Sequence, residues 1–215
     1  MSDTPSPKTG PSSAEADLAF MRALADGGRQ PTAMAGPSIY LAAGLLYGAQ
    51  CVYHLLEFLT PIRWPGPMSL AVAIGVNAVF FTWMTIVLIK ERGQRVGGSG
   101  INRAINAMFA ATGLANLCFV AVYGLNAAWL HQFGFWLLYA ATVFILQGAA
   151  WYVAWLMRRK VWMLLTALGW FASGTALGLI LQRDMGAYLA VCGAALFLCM
   201  ALPGWIMIRQ ARAER

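Results

Sequence analysis

The stretch FGFWLLYAATVFILQGAAWYVAWLMRRK, residues 133–160, decides the fold. From Phe133 to Met157 it carries no charged side chain, and it ends abruptly on Arg158-Arg159-Lys160. A helix rises about 1.5 Å per residue, so a run of this length crosses the ~30 Å hydrocarbon core of a bilayer. Lipid offers no partner to a backbone N–H or C=O, whereas a helix satisfies both internally. Three cations at one end mark that end as cytoplasmic.

Outward from this run, the same pattern recurs. Six spans are expected near 39–59, 68–90, 104–128, 133–157, 161–181 and 186–208, within a domain covering 36–210. The connections at 91–103 (Arg92, Arg95, Arg103) and 158–160 are basic, while those at 60–67, 129–132 and 182–185 are short and nearly uncharged. That alternation puts both termini and both basic connections in the cytoplasm. The expected fold class is therefore an all-α integral membrane protein, a six-helix bundle in a bacterial inner membrane. Short connections make sequential helices antiparallel neighbours.

Composition agrees. Apolar residues make up 60% of the 215-residue chain and charged residues 11%, about half the share of a soluble protein. The net charge of +7 does not describe a nucleic-acid surface. Of the Lys and Arg residues, only Arg63 and Arg183 fall outside the chain ends and the basic connections. Lipid is the expected partner, with a second copy or another membrane protein beside it, and nucleic acid is excluded. Cys51, Cys118, Cys192 and Cys199 all lie in apolar runs with no zinc-like spacing. They read as small packing residues.

Residues 1–14 read as a disordered cytoplasmic tail, Pro-, Ser- and Thr-rich and without the apolar core of a cleavable leader. Residues 15–28 read as an amphipathic surface helix: Ser12 and Glu15 form a capping-box pattern, and Gly27-Gly28 is a stop. Residues 209–215 form the other cytoplasmic tail. Small residues four apart, Gly44 with Gly48 and Gly174 with Gly178, offer faces for close helix packing. Pro203-Gly204 predicts a kink in the last span.

Three sets of landmarks suggest an internal repeat of two-helix hairpins: Gly44, Trp83 and Lys90; Gly113, Trp151 and Arg158; Gly169, Trp205 and Arg212. The layout resembles that of six-helix membrane proteins built from three hairpins, among them a bacterial acid-stress membrane family. The resemblance is one of layout and carries no shared motif.

Ionisable side chains inside a bilayer mark candidate sites. The first span supplies the best set. Tyr47, Gln50, His54 and Glu57 follow at steps of three, four and three, so they share one helical face. The stripe reads either as a proton or small-solute site, or as a structural pair of His54 with Glu57 plus interhelical hydrogen bonds. Asn77, Asn116 and Gln147 lie deep in other spans, and with Gln50 they would line a midplane cavity if they converged. Only His54 and His131 could ligate haem or metal through imidazole, too few for either group, so no cofactor and no metal are expected. No nucleophile has a suitably spaced base, so the chain is not expected to be an enzyme. The expected function is non-enzymatic: interaction, assembly or stress response in the membrane. A small oligomeric transporter or channel using the first-span stripe is the alternative.

Overall fold

The computed structural model describes residues 18, 34–61, 65–91, 100–181 and 183–213. The expected tail at 1–14 and the rest of the expected surface helix at 15–28 lie outside the described residues, as do Arg63, Arg92 and Arg95; Leu18 is helical and exposed. No strand occurs among the described residues. Six helices are long and apolar enough to cross a membrane. They are α1 (Ala35–Leu59), α2 (Gly66–Glu91), α3 (Gly100–Trp129), α4 (Phe133–Arg158), α5 (Val161–Ile180) and α6 (Met185–Ala213). Several run beyond the apolar stretches. α6 continues through Arg209, Gln210 and Arg212 into the segment read as a tail, because straight-chain polar residues extend a helix as well as apolar ones do.

Local chemistry sets the ends. α4 stops where Arg159 turns left-handed, with φ 54°, and donates its N–H to the Trp155 carbonyl. α5 starts two residues later, so the basic connection is as short as a turn can be. At the opposite end, the Asp184 side chain accepts the Ala187 N–H at 3.0 Å and caps α6.

The principal packing runs α2 on α1, α1 on α6, α6 on α5, α5 on α4 and α4 on α3. Sequential helices pack except α2 and α3, which were expected to be neighbours but end up at the two extremes of the arc, because the first and last helices join its halves. Glycine explains that choice. A Cβ on Gly44 would stand 2.8 Å from the Ala201 Cα, one on Gly204 2.6 Å from the Leu41 nitrogen, and one on Gly48 2.8 Å from the Phe197 ring. α1 and α6 thus meet backbone to backbone along a glycine seam. Gly174 serves the same purpose between α5 and α4, where a Cβ would meet Ile145 at 2.9 Å. Gly178 faces open space and so does Gly113.

The proline in α6 shapes this seam. Leu196–Ala201 is wound as π-helix, with the Leu202 N–H reaching back to the Phe197 carbonyl. Pro203 has no N–H to give the carbonyl four residues earlier, that of Cys199. The Tyr40 hydroxyl on α1 reaches that carbonyl at 3.4 Å. The same phenol oxygen accepts Nε1–H of Trp151 at 2.6 Å and of Trp170 at 3.1 Å. One side chain therefore joins α1, α4, α5 and α6, and both indoles are 1% exposed. Phe109 of α3 packs edge-on against Tyr40 and Trp151.

At the basic end, each hairpin is tied across its mouth. Glu91 accepts the Ala35 N–H, Arg158 donates to the Asn102 side chain at 2.6 Å, and Lys160 donates to Gln210 at 3.3 Å. The landmark residues of the three hairpins have unlike surroundings. Trp151 is buried while Trp83 and Trp205 are exposed, and Gly44 and Gly169 are crowded while Gly113 is open.

Substitution separates the seam from the open positions. Gly44→Ala and Gly204→Ala should each lower stability by about 1–3 kcal/mol through overpacking. Gly113→Ala should be neutral or stabilising by up to about 1 kcal/mol, since alanine favours a helix interior. Tyr40→Phe strands two buried indole N–H groups and should cost about 1–3 kcal/mol for each one left unsatisfied. Thermal unfolding of the purified protein in detergent, followed by tryptophan fluorescence, measures all four.

Candidate functional site

The stripe on α1 runs from the middle of the bundle toward the end opposite the basic one. His54 Nδ1 lies 3.2 Å from Glu57 Oε2, one helical turn away. The other carboxylate oxygen accepts the Ser69 hydroxyl of α2 at 2.6 Å. The Tyr53 ring stands edge-on to the imidazole, with centroids 5.2 Å apart. Both His54 and Glu57 are somewhat more than a quarter exposed. A carboxylate held by two donors and open at its rim can accept a proton and pass it to or from the imidazole. The same contacts also serve as a structural lock between α1 and α2. His131 sits away from this group, in the α3–α4 connection at φ 52°. Among the described residues, no three His, Cys, Asp or Glu side chains gather as a metal site.

The deeper amides divide into two kinds. Asn77 accepts the Tyr47 hydroxyl at 3.0 Å and donates to the Ala73 carbonyl at 2.8 Å. Asn116 accepts the Tyr139 hydroxyl at 2.8 Å. Each asparagine is therefore paired with a tyrosine of its own hairpin, across α1–α2 and α3–α4 respectively. Gln50 and Gln147 behave differently. No hydrogen bond joins Gln50 to a described residue, and the Gln147 Oε1 atom is buried without a partner.

The structure also brings forward residues that sequence reading passed over. Tyr40, Ser69 and Tyr139 do as much polar work as the residues that reading singled out. Cys51, read as a packing residue, lies against α6, where a Cβ on Gly193 would stand 3.3 Å from its own Cβ. One signal was available: a proline in the last span lacks an N–H, so a carbonyl near it calls for another donor. The others depend on which helices adjoin, and spacing along one helix is silent on that.

No family model, curated protein or solved structure matches the chain, so the reading of the site rests on its geometry.

Interhelical hydrogen bonds between side chains in apolar surroundings are worth about 0.6 kcal/mol on average and ~1.7 kcal/mol at most. Asn77→Ala and Asn116→Ala should each fall within that range when reversible unfolding is measured in mixed micelles. The double variant should be additive to within ~0.5 kcal/mol if the ties act independently, and a larger coupling would show that they work as one unit.

Proposed function

We propose that the chain is an integral protein of a bacterial inner membrane, with both termini cytoplasmic, and that it acts by assembling with another membrane protein or a second copy of itself. Support for the membrane setting comes from the surface. Leu70, Leu114, Leu165, Leu179 and Leu198 are all more than half exposed, and water would not tolerate so continuous an apolar exterior. Among the described residues every Lys and Arg except Arg183 lies at one end, where Arg159 lies over Trp155 and Arg209 over Trp205 at 5.5 and 4.8 Å. Paired tryptophan and arginine at that level suit a headgroup layer.

The assembly reading rests on α2. It packs principally on α1, and none of its described residues is buried. α2 also carries a glycine, Gly75, with nothing within 4 Å of an added Cβ. Helices associate in lipid through small and polar residues, so this is the face on which a partner helix would sit. The three ties at the basic end fit a chain built from three hairpins of common origin. The residues that pair with one another across each hairpin support stability rather than turnover, which agrees with a non-enzymatic role.

Transport is a second reading, and Gln50 and Gln147 favour it. Two amides without hydrogen-bond partners among the described residues suit a solvated path that continues to His54 and Glu57.

Two experiments in a background lacking the four native cysteines separate the readings. Single cysteines at Ile74, Phe81 and Leu88 on α2 should cross-link to a partner in native membranes, while Leu165 and Leu179 on α5 should not. Equal or absent cross-linking at both faces rejects the assembly reading. Single cysteines at Gln50, Asn77, Asn116 and Gln147 are then probed with a polar thiol reagent in cells and in inverted vesicles, with a cysteine at Arg95 as the topology control. Labelling of several deep positions establishes a water path, and labelling of none rejects transport.

A further inference from the structure

The basic end carries charge that the described residues do not neutralise. Among them Glu91 is the one carboxylate at that end, and it accepts the Ala35 N–H. The one contact between a cationic side chain and a carboxylate among the described residues, His54 with Glu57, lies at the opposite end. Two of the cations are tied, but to neutral amides: Arg158 donates to Asn102 at 2.6 Å and Lys160 to Gln210 at 3.3 Å. An amide fixes the position of such a side chain and leaves its charge intact. The Lys160–Gln210 bond also brings the α4–α5 turn against the end of α6. Arg159 and Arg209, the residues next to that pair, therefore flank one contact. Both are exposed, and each guanidinium lies over a tryptophan one turn earlier in its own helix. Arg159 holds its place at a backbone cost. Its φ of 54° is left-handed, and after a helix glycine is the residue that adopts this conformation without strain. An arginine kept in a glycine position points to a role for its side chain.

We propose that Arg159 and Arg209, with Lys160 beside them, hold the headgroup of an anionic phospholipid, a phosphate diester with no cation of its own. A guanidinium presents two parallel N–H donors to two phosphate oxygens, and a tryptophan under each keeps it at the level of the headgroups. The acyl chains have a surface to follow. Val161, Leu165 and Leu168, at steps of four and three along α5 immediately after Lys160, are all more than half exposed. Basic side chains above an apolar helical surface on the cytoplasmic side are the form that anionic headgroup sites take. Charge decides among lipids. Phosphatidylcholine brings a quaternary ammonium into a cluster already short of anions, whereas phosphatidylglycerol brings negative charge alone. The choice of a lipid rests on the proposed membrane setting and is independent of the proposed partner.

The test uses the full chain, purified in detergent and stripped of lipid, with dioleoyl-phosphatidylglycerol or dioleoyl-phosphatidylcholine titrated in and bound lipid counted by native mass spectrometry. Phosphatidylglycerol should bind at least ~5-fold more tightly, about what one cation near a headgroup supplies. Arg159→Gly and Arg209→Gln should each remove most of that preference, Arg209→Lys should retain part of it, and Arg183→Gln at the opposite end should leave it unchanged. Arg159→Gly carries a second readout. Glycine relieves the left-handed φ, so the thermal midpoint without lipid should stay level or rise while lipid preference falls. Equal affinity for the two lipids, or a preference that survives in the variant carrying both Arg159→Gly and Arg209→Gln, overturns the site. Glycerol phosphate at the same concentration should fail to displace phosphatidylglycerol; displacement overturns the lipid in favour of a free phosphate. Alkaline carbonate extraction of native membranes tests the setting separately. A chain released by carbonate that still selects phosphatidylglycerol loses the membrane setting and keeps the anion site, and a chain retained without selectivity does the reverse.

Discussion

Everything else in this bundle depends on the contact between the first helix and the last. α1 and α6 approach until backbone meets backbone, which Gly44, Gly48 and Gly204 permit by having no side chain in the way. At that separation the Tyr40 hydroxyl reaches the Cys199 carbonyl in the π-wound segment before Pro203. The hydroxyl then accepts two indole N–H groups from α4 and α5. A helix irregularity, a close approach and a buried hydrogen-bond junction are thus one device. Where the exterior is apolar as well, the hydrophobic effect gives little drive between helices, and packing with satisfied polar groups must supply the difference.

The remaining polar side chains follow the same economy. Asn77, Asn116, Ser69 and Glu57 each find a partner on an adjoining helix, and serine and threonine hydroxyls turn back to carbonyls of their own helices, as Thr112 and Thr166 do. Against that background Gln50 and Gln147 stand apart, without hydrogen-bond partners among the described residues. These are the places where chemistry other than cohesion has room. The assembly reading draws instead on what lies outside the seam, an α2 that packs principally on α1 and has no buried residue among those described.

Much of this was legible in the chain alone. The number, length and helical character of the apolar segments follow from composition and run length, because a backbone without water has to satisfy itself locally. The alternation of basic and uncharged connections fixes which ends lie together. The stripe from Tyr47 to Glu57 follows from helical periodicity, and His54 with Glu57 do meet within one turn. All of these are properties of single segments and their flanks.

Tertiary structure decided which helices adjoin, and so which side chains meet. Short connections imply neighbours in sequence order, yet the tightest seam joins α1 to α6, and glycines spaced four apart look alike whether they are crowded, as Gly44 is, or open, as Gly178 is. The four deep amides, read as one midplane set, divide into two tied to tyrosines and two without described partners. Cys51 and Gly193, distant in sequence, come face to face across the seam. The physical reason is common to all three. Apolar pattern and charge report the medium around each helix, which every helix here shares, while the choice of neighbour is made by shape at a few ångströms and is encoded only in both surfaces together.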